Sequence, residues 1–163
     1  MASIETKQFK AGDVIFKEGD KADCIYFMLS GKVSITRNQG GKTVTLATLE
    51  KDAVFGEMAL IDNKPRSANV IALEDSECLK ATESNFTGVL SKSNAAIKTA
   101  LKELSTIIRE KNVLSGGDLP PGLQQKISIF KKNSQGNIAL EKSLREAEPL
   151  ISNVYSSLFS YLG

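Results

Sequence analysis

Two residues of opposite charge, Glu57 and Arg66, sit in the stretch Phe55-Gly56-Glu57-Met58-Ala59-Leu60-Ile61-Asp62-Asn63-Lys64-Pro65-Arg66-Ser67-Ala68, where residue types and spacing point to chemistry. The pattern reads as the end of a strand, one short helical turn over residues 57–61, a turn, and a new strand after Pro65-Arg66. An anion site is the natural inference. Gly56 permits close backbone approach. The start of a short helix offers unpaired N–H groups, and Arg66 supplies a planar guanidinium fork that suits a phosphate. Glu57 has the wrong sign for an anion site, so it fits only by accepting hydrogen bonds from ligand hydroxyls or from Arg66. A phosphorylated sugar presents both needs. The competing reading is a surface Glu–Arg ion pair beside a turn, which contributes about 0–1 kcal/mol and carries no function.

Other chemistries lose their footing in the composition. The 163 residues include no histidine, which removes Ser-His-Asp and Cys-His nucleophilic sites and His-dependent metal centres. Cys24 and Cys78 are lone thiols without C-x-x-C spacing, so neither a disulfide framework nor a four-thiolate metal site is expected. They read as small strand hydrophobes in a reduced, cytoplasmic protein. Gly41-Lys42-Thr43 ends like a phosphate-binding loop, but Thr36 stands where that motif needs its first glycine. The longest apolar run, residues 24–29, is far short of the ~20 residues that span a bilayer. The first residues, Met-Ala-Ser-Ile-Glu-Thr-Lys, lack the apolar stretch of a signal peptide, and Ala2 stands where myristoylation needs glycine. No membrane insertion is expected.

The elements that must position residues 55–68 come in two kinds. From about Thr6 to Thr82 turn chemistry recurs at Ala11-Gly12-Asp13, Glu18-Gly19-Asp20, Ser30-Gly31-Lys32, Asn38-Gln39-Gly40-Gly41 and Leu60-Ile61-Asp62-Asn63. Between these marks, residues 14–16, 24–29, 33–36, 44–49 and 68–73 are rich in β-branched and aromatic residues, as half-buried strands should be. A small antiparallel sandwich or barrel follows. After Thr82 the period lengthens to that of a helix. Ser84 precedes a short helix near 85–91, and a longer one spans 94–113. There Ile97, Leu101, Leu104 and Ile108 form a narrow apolar stripe, with Lys111 next along it. Such a stripe suits pairing with a second helix as well as packing within the chain. Pro120 and Pro121 stop the helix. Residues 123–132 and 137–162 read as further helices, the second with Leu140, Leu144, Ala147, Ile151, Val154, Leu158 and Tyr161 on one stripe, and with a kink or restart expected at Pro149.

The order F-G-E, apolar residue, A-L, variable turn, P-R, small residue, A closely resembles the phosphate-binding cassette of cyclic-nucleotide-binding domains, a family that includes the cAMP receptor protein and the regulatory subunits of cAMP-dependent kinase. Phe9-Lys10-Ala11-Gly12-Asp13-Val14-Ile15-Phe16, Glu18-Gly19-Asp20 and Tyr26-Phe27-Met28-Leu29-Ser30-Gly31-Lys32-Val33 are similar to that family's first strands and next hairpin. The likeness covers about residues 4–113. It implies an α+β, mainly β, fold: an antiparallel double-stranded β-helix or jelly-roll barrel with flanking helices and a C-terminal helical extension. It further implies a nucleotide-binding domain over 1–113; beyond the likeness, the Gly- and Pro-rich run 114–122 reads as a linker and 123–163 as an amphipathic extension.

By the same resemblance Glu57 accepts from the ribose 2′-hydroxyl of a cyclic purine nucleotide and Arg66 pairs with the cyclic phosphate. Backbone N–H groups of Gly56, Ala59 and Ala68 complete the cradle, with Met58 as the apolar cassette residue and Ser67 after the arginine. Asn112, near the end of the long helix, is placed to meet the purine edge, unless it is only a helix cap. The ligand that the resemblance implies is cAMP or cGMP, without a metal. The chain is expected to be a sensor, not an enzyme. Binding would be relayed through its helices to a homodimer, formed by the 94–113 helix or the C-terminal helices, or to an effector protein. The alternative is a constitutive interaction or oligomerisation module on the same fold.

DNA binding is not expected. From residue 112 onward Lys126, Lys131, Lys132, Lys142 and Arg145 face Asp118, Glu141, Glu146 and Glu148, a net of +1 in a chain of net +2. Phosphate neutralisation asks for more.

Overall fold

A computed structural model describes residues 4–114, 119–147 and 149–162, and the chain divides into two compact units, residues 1–88 and 89–163. In the first unit β1 (Ile4–Phe9), β8 (Ser76–Thr82), β3 (Cys24–Ser30) and β6 (Val54–Phe55) lie side by side in that order. A second sheet has the order β2 (Val14–Phe16), β7 (Asn69–Ala72), β4 (Val33–Gln39), β5 (Lys42–Leu49). Every pairing is antiparallel. Alternate residues of β3, namely Cys24, Tyr26 and Met28, join Phe55 and Cys78 from their own sheet and Val33 and Val70 from the other in one buried cluster. Period-two patterning thus builds the core between the sheets. This is the mainly β, two-sheet jelly roll that the sequence leads one to expect.

Three strands were not distinguished in the sequence. β6 is two residues long. β1 is polar and largely exposed at a sheet edge, where charges such as Glu5 and Lys7 are tolerated and discourage further pairing. The β character of β8 is diluted by Ser76, Glu77 and Lys80.

Turns set the strand ends. Gly40 and Gly41, with φ of 58° and 80°, connect β4 to β5 as a two-residue hairpin. Lys42 and Thr43 therefore belong to a strand, not to a phosphate loop. At Gly31, φ is 90° and an added Cβ would lie 2.2 Å from Ser76 Oγ. That hydroxyl accepts from Lys32 N at 3.0 Å and donates to Glu74 O at 2.8 Å, tying the β3–β4 turn to the start of β8.

Beyond β8 comes α2 (Glu83–Ser91), which starts one residue before Ser84 rather than after it, and where Thr82 Oγ1 accepts from Asn85 N at 3.2 Å. In the second unit α3 (Ala95–Val113) starts at Asn94, whose side chain accepts from Ala96 N at 2.7 Å. It packs on α4 (Pro121–Ser134), α5 (Ile138–Glu146) and α6 (Pro149–Ser160). Ile97, Leu101, Leu104 and Ile108 are all buried within the chain, so the stripe that would suit a helix pair already has its partners here. Pro121 occupies the first turn of α4, where its missing N–H is no loss. Of the expected linker, 115–118 lie outside the described residues, while Pro121 and Gly122 are helical. At Pro149 the chain restarts: α5 ends at Glu146 and α6 begins at the proline.

Candidate functional site

Residues 56–68 form a loop and helical turn between β6 and β7, and α1 (Met58–Ile61) is its helical part. Glu57 precedes α1, and its carbonyl accepts from Leu60 N and Ile61 N, each at 3.0 Å. Asn63, with a φ of 54°, and a bond from Lys64 N to Ala59 O at 3.2 Å close the turn. The Arg66 backbone is then pinned on both sides to the Glu18-Gly19-Asp20 turn. Arg66 N donates to Asp20 O and Gly19 N to Arg66 O, each at 2.9 Å. That turn is itself held by Asp20 Oδ2, which accepts from Lys17 N at 3.0 Å.

The side chain of Arg66 is only 4% exposed. Its Nη1 donates to Gly56 O at 2.6 Å and its Nη2 to Cys24 O at 2.8 Å, with Cys24 Sγ 3.6 Å away. The guanidinium carbon lies 4.0 Å from the centre of the Phe16 ring. Nε is buried and has no hydrogen-bond partner among the described residues. A buried donor left this way carries a desolvation penalty of about 1–3 kcal/mol, which an anion would relieve. Gly56 is required twice over: its φ is +85°, and a Cβ there would stand 2.7 Å from Arg66 Nη1.

Glu57 is 2% exposed. Burial pushes its carboxyl up to about 7, against the opposing pull of its own backbone N–H and the Arg66 charge. Both members of the pair are buried, and Arg66 spends its hydrogen bonds on main-chain carbonyls. The reading of a surface Glu–Arg ion pair is therefore corrected. A carboxylate acceptor and an orphaned guanidinium N–H together suit a ligand that carries hydroxyls and an anionic group.

The structure brings Gly56, Glu57, Met58, Ala59, Arg66, Ser67 and Ala68 together around this loop, with Ala59 and Ala68 buried and Met58 and Ser67 half-buried. Asn112 is in the last turn of α3, in the second unit, where the helix is capped at Leu114 rather than at Asn112. Lys111, its neighbour, donates from Nζ to Tyr161 O at 2.5 Å. Two residues that hold Arg66, Phe16 and Cys24, escaped the sequence reading. Each looked like an ordinary strand residue, and only a fold-level pairing brings them to position 66.

The thiols are poor nucleophiles. Burial raises Cys24, with a Tyr26 hydrogen bond opposing it, and pushes Cys78 up to about 11. Among the described residues no group of three or more Cys, Asp or Glu is placed to hold a metal, and no helix is long and apolar enough to cross a membrane.

Two facing antiparallel sheets with a buried arginine in a loop between strands define a small-ligand-binding jelly roll. Residues 6–93, more than half of the chain, match the model of the cyclic nucleotide-binding domain. The chain belongs to that family. It is 34% identical over 91 residues to the cyclic AMP receptor protein of Thermus thermophilus, a match covering 55% of this chain and 42% of that protein. It is 39% identical over 70 residues to the cAMP-dependent protein kinase type II regulatory subunit of Drosophila melanogaster, covering 43% and 19% respectively. The chain thus spans less than half the length of these relatives. Among solved structures it is similar to the EAL enzyme Bd1971 in its cAMP-bound form, with a TM-score of 0.64, 30% identity, and coverage of 82% of this chain and 34% of that one. The cGMP-bound form of the same enzyme gives 0.63 and 28%, with coverage of 85% and 34%.

Proposed function

We propose that the chain is a cytoplasmic cyclic-nucleotide sensor that binds cAMP or cGMP in its barrel and relays binding through its helices to self-association or to a partner protein. The observation that carries the reading is Arg66: buried, oriented, and left with an unpartnered Nε within electrostatic reach of a buried carboxylate. In this reading Arg66 pairs with the cyclic phosphate and Glu57 accepts from the ribose 2′-hydroxyl. The N–H groups of Gly56, Ala59 and Ala68 complete the cradle, Met58 and Ser67 flank it, and Asn112 meets the purine edge. Support comes from family membership and from relatives named for cAMP. The role is binding rather than catalysis, in keeping with the absence of histidine and the buried thiols. Both thiols are unpaired, as suits a reducing compartment. The exposed apolar side chains Val113, Ile129 and Ile138 of the helical unit are the groups through which it would meet a copy of itself or an effector.

The test is calorimetric titration with cAMP and with cGMP, after unfolding and refolding to strip any carried nucleotide. Binding at micromolar strength or tighter, about 8 kcal/mol or more, is expected for one or both. Arg66→Ala should weaken it by roughly 10- to 150-fold, the equivalent of a charge-assisted hydrogen bond. No heat with either ligand from folded protein overturns the reading. The relay is checked separately by hydrogen exchange, which should change in α3–α6 when ligand saturates.

A further inference from the structure

The Arg66 guanidinium is held on two edges and one face. The edges go to the main-chain carbonyls of Gly56 and Cys24, in or beside strands of the first sheet. The face rests on Phe16, which belongs to β2 of the other sheet. Phe16 reaches this place through an irregularity. Val14 pairs with Ile71 and Phe16 with Val70, so Ile15 is an extra residue in the ladder. Strict alternation would send residues 15 and 16 to opposite faces of the sheet, but with the bulge both pack against the core. The ring is braced in turn, 6.1 Å from Phe55 and 6.4 Å from Tyr26, which stack on each other at 5.1 Å.

A ring face attracts a cation without offering a lone pair to its N–H groups. A polar neighbour in that position would compete for Nε; the ring leaves it free. We propose that Phe16 is a positioning residue, the platform against which the Arg66 guanidinium is held so that Nε–H is not spent on a protein acceptor and is left for an anion. The identity of that anion rests on the cyclic-nucleotide reading, whereas the platform rests on the geometry alone.

Phe16→Leu removes the ring face while keeping an apolar side chain, and Phe16→Tyr keeps the face. The first readout needs no ligand. In the NMR spectrum the Arg66 Nε–H, assigned by its loss in Arg66→Lys, should be shifted upfield by the ring and protected from solvent exchange. Both signatures should persist in Phe16→Tyr and collapse in Phe16→Leu. The second readout is titration with cAMP and cGMP beside their neutral nucleosides, adenosine and guanosine. Phe16→Leu should weaken the cyclic nucleotides about 3- to 30-fold, leave the nucleosides within about 2-fold, and be rescued by Phe16→Tyr. Equal losses for nucleotides and nucleosides, or an unshifted Arg66 signal in the unsubstituted protein, overturn the platform. If the unsubstituted protein binds neither cyclic nucleotide, the proposed function fails while the Nε–H signal still decides the platform. If Phe16→Leu does not fold, the signal in the unsubstituted protein and in Phe16→Tyr decides it.

Discussion

The barrel unit and the helical unit bury different things. Within the barrel, Glu57 and Arg66 are taken out of water together with Ser34, Thr36 and Ser76. In the helical unit the buried polar side chains among the described residues are Ser105 and Ser134, both neutral, set in a core of Leu, Ile, Val and Phe. Desolvating an ion costs several kcal/mol, so a buried charge is weak evidence for stability. An apolar stripe needs no such explanation. The contrast separates a region that keeps two charged side chains out of water from one organised around packing.

The largest effect is expected in the helical core. Leu104, fully buried on α3, should lose about 2–5 kcal/mol of stability on Leu104→Ala. Denaturant unfolding measures this, and a loss under about 1 kcal/mol would mean that the stripe is not a core.

Glu57 sharpens the other half. Its folded pKa of about 7 lies above the ordinary 4.5, so between these values the native state binds more protons than the unfolded chain. Ligand-free stability should therefore fall as pH rises from about 4.5 to about 7 and be level above, by a total on the order of 3 kcal/mol. Glu57→Gln should flatten that slope in urea melts at a series of pH values. Hydroxyls that donate to the ionised carboxylate would pull its pKa down, so affinity for a cyclic nucleotide should strengthen as pH rises through about 7.

The smallest effect is expected at the surface of the helical unit, where Lys126 Nζ lies 3.0 Å from Glu110 Oε1 with both side chains well exposed. Lys126→Met should change stability by only about 0.2–1 kcal/mol, diminishing with salt. A larger loss in thermal unfolding would place electrostatics in a unit that otherwise depends on apolar contact.

Residues 55–68 were legible because their signals are local: a glycine before a helical turn, a carboxylate at its start, and a Pro-Arg pair at the next strand. β2 to β5 and β7 were legible because β-branched residues alternate within short windows. What was not legible depends on distant pairing. Arg66 meets Cys24 across 42 positions of sequence, and neither Cys24 nor Phe16 carries a mark of that meeting. Burial of Glu57 and Arg66 is likewise a property of the whole barrel, which is why a surface ion pair could be entertained. The α3 stripe announced that it would be covered but not by what, since the same heptad spacing serves a partner helix inside or outside the chain. At Pro149 the residue forecast a kink or a restart, and packing of α6 as a separate helix chose the restart.

The two acceptors that hold the edges of Arg66 are the carbonyl groups of Gly56 and Cys24. Carbonyl groups do not mutate. Neutral drift can exchange the thiol at position 24 for another β-forming side chain and still hand down the same acceptor, because what is inherited is the path of the strand. Position 56 has no such latitude, since any side chain there would collide with the arginine. Divergent descendants of this barrel should therefore vary among small apolar residues at 24, which is buried in the core, while 56 and 66 change together or not at all.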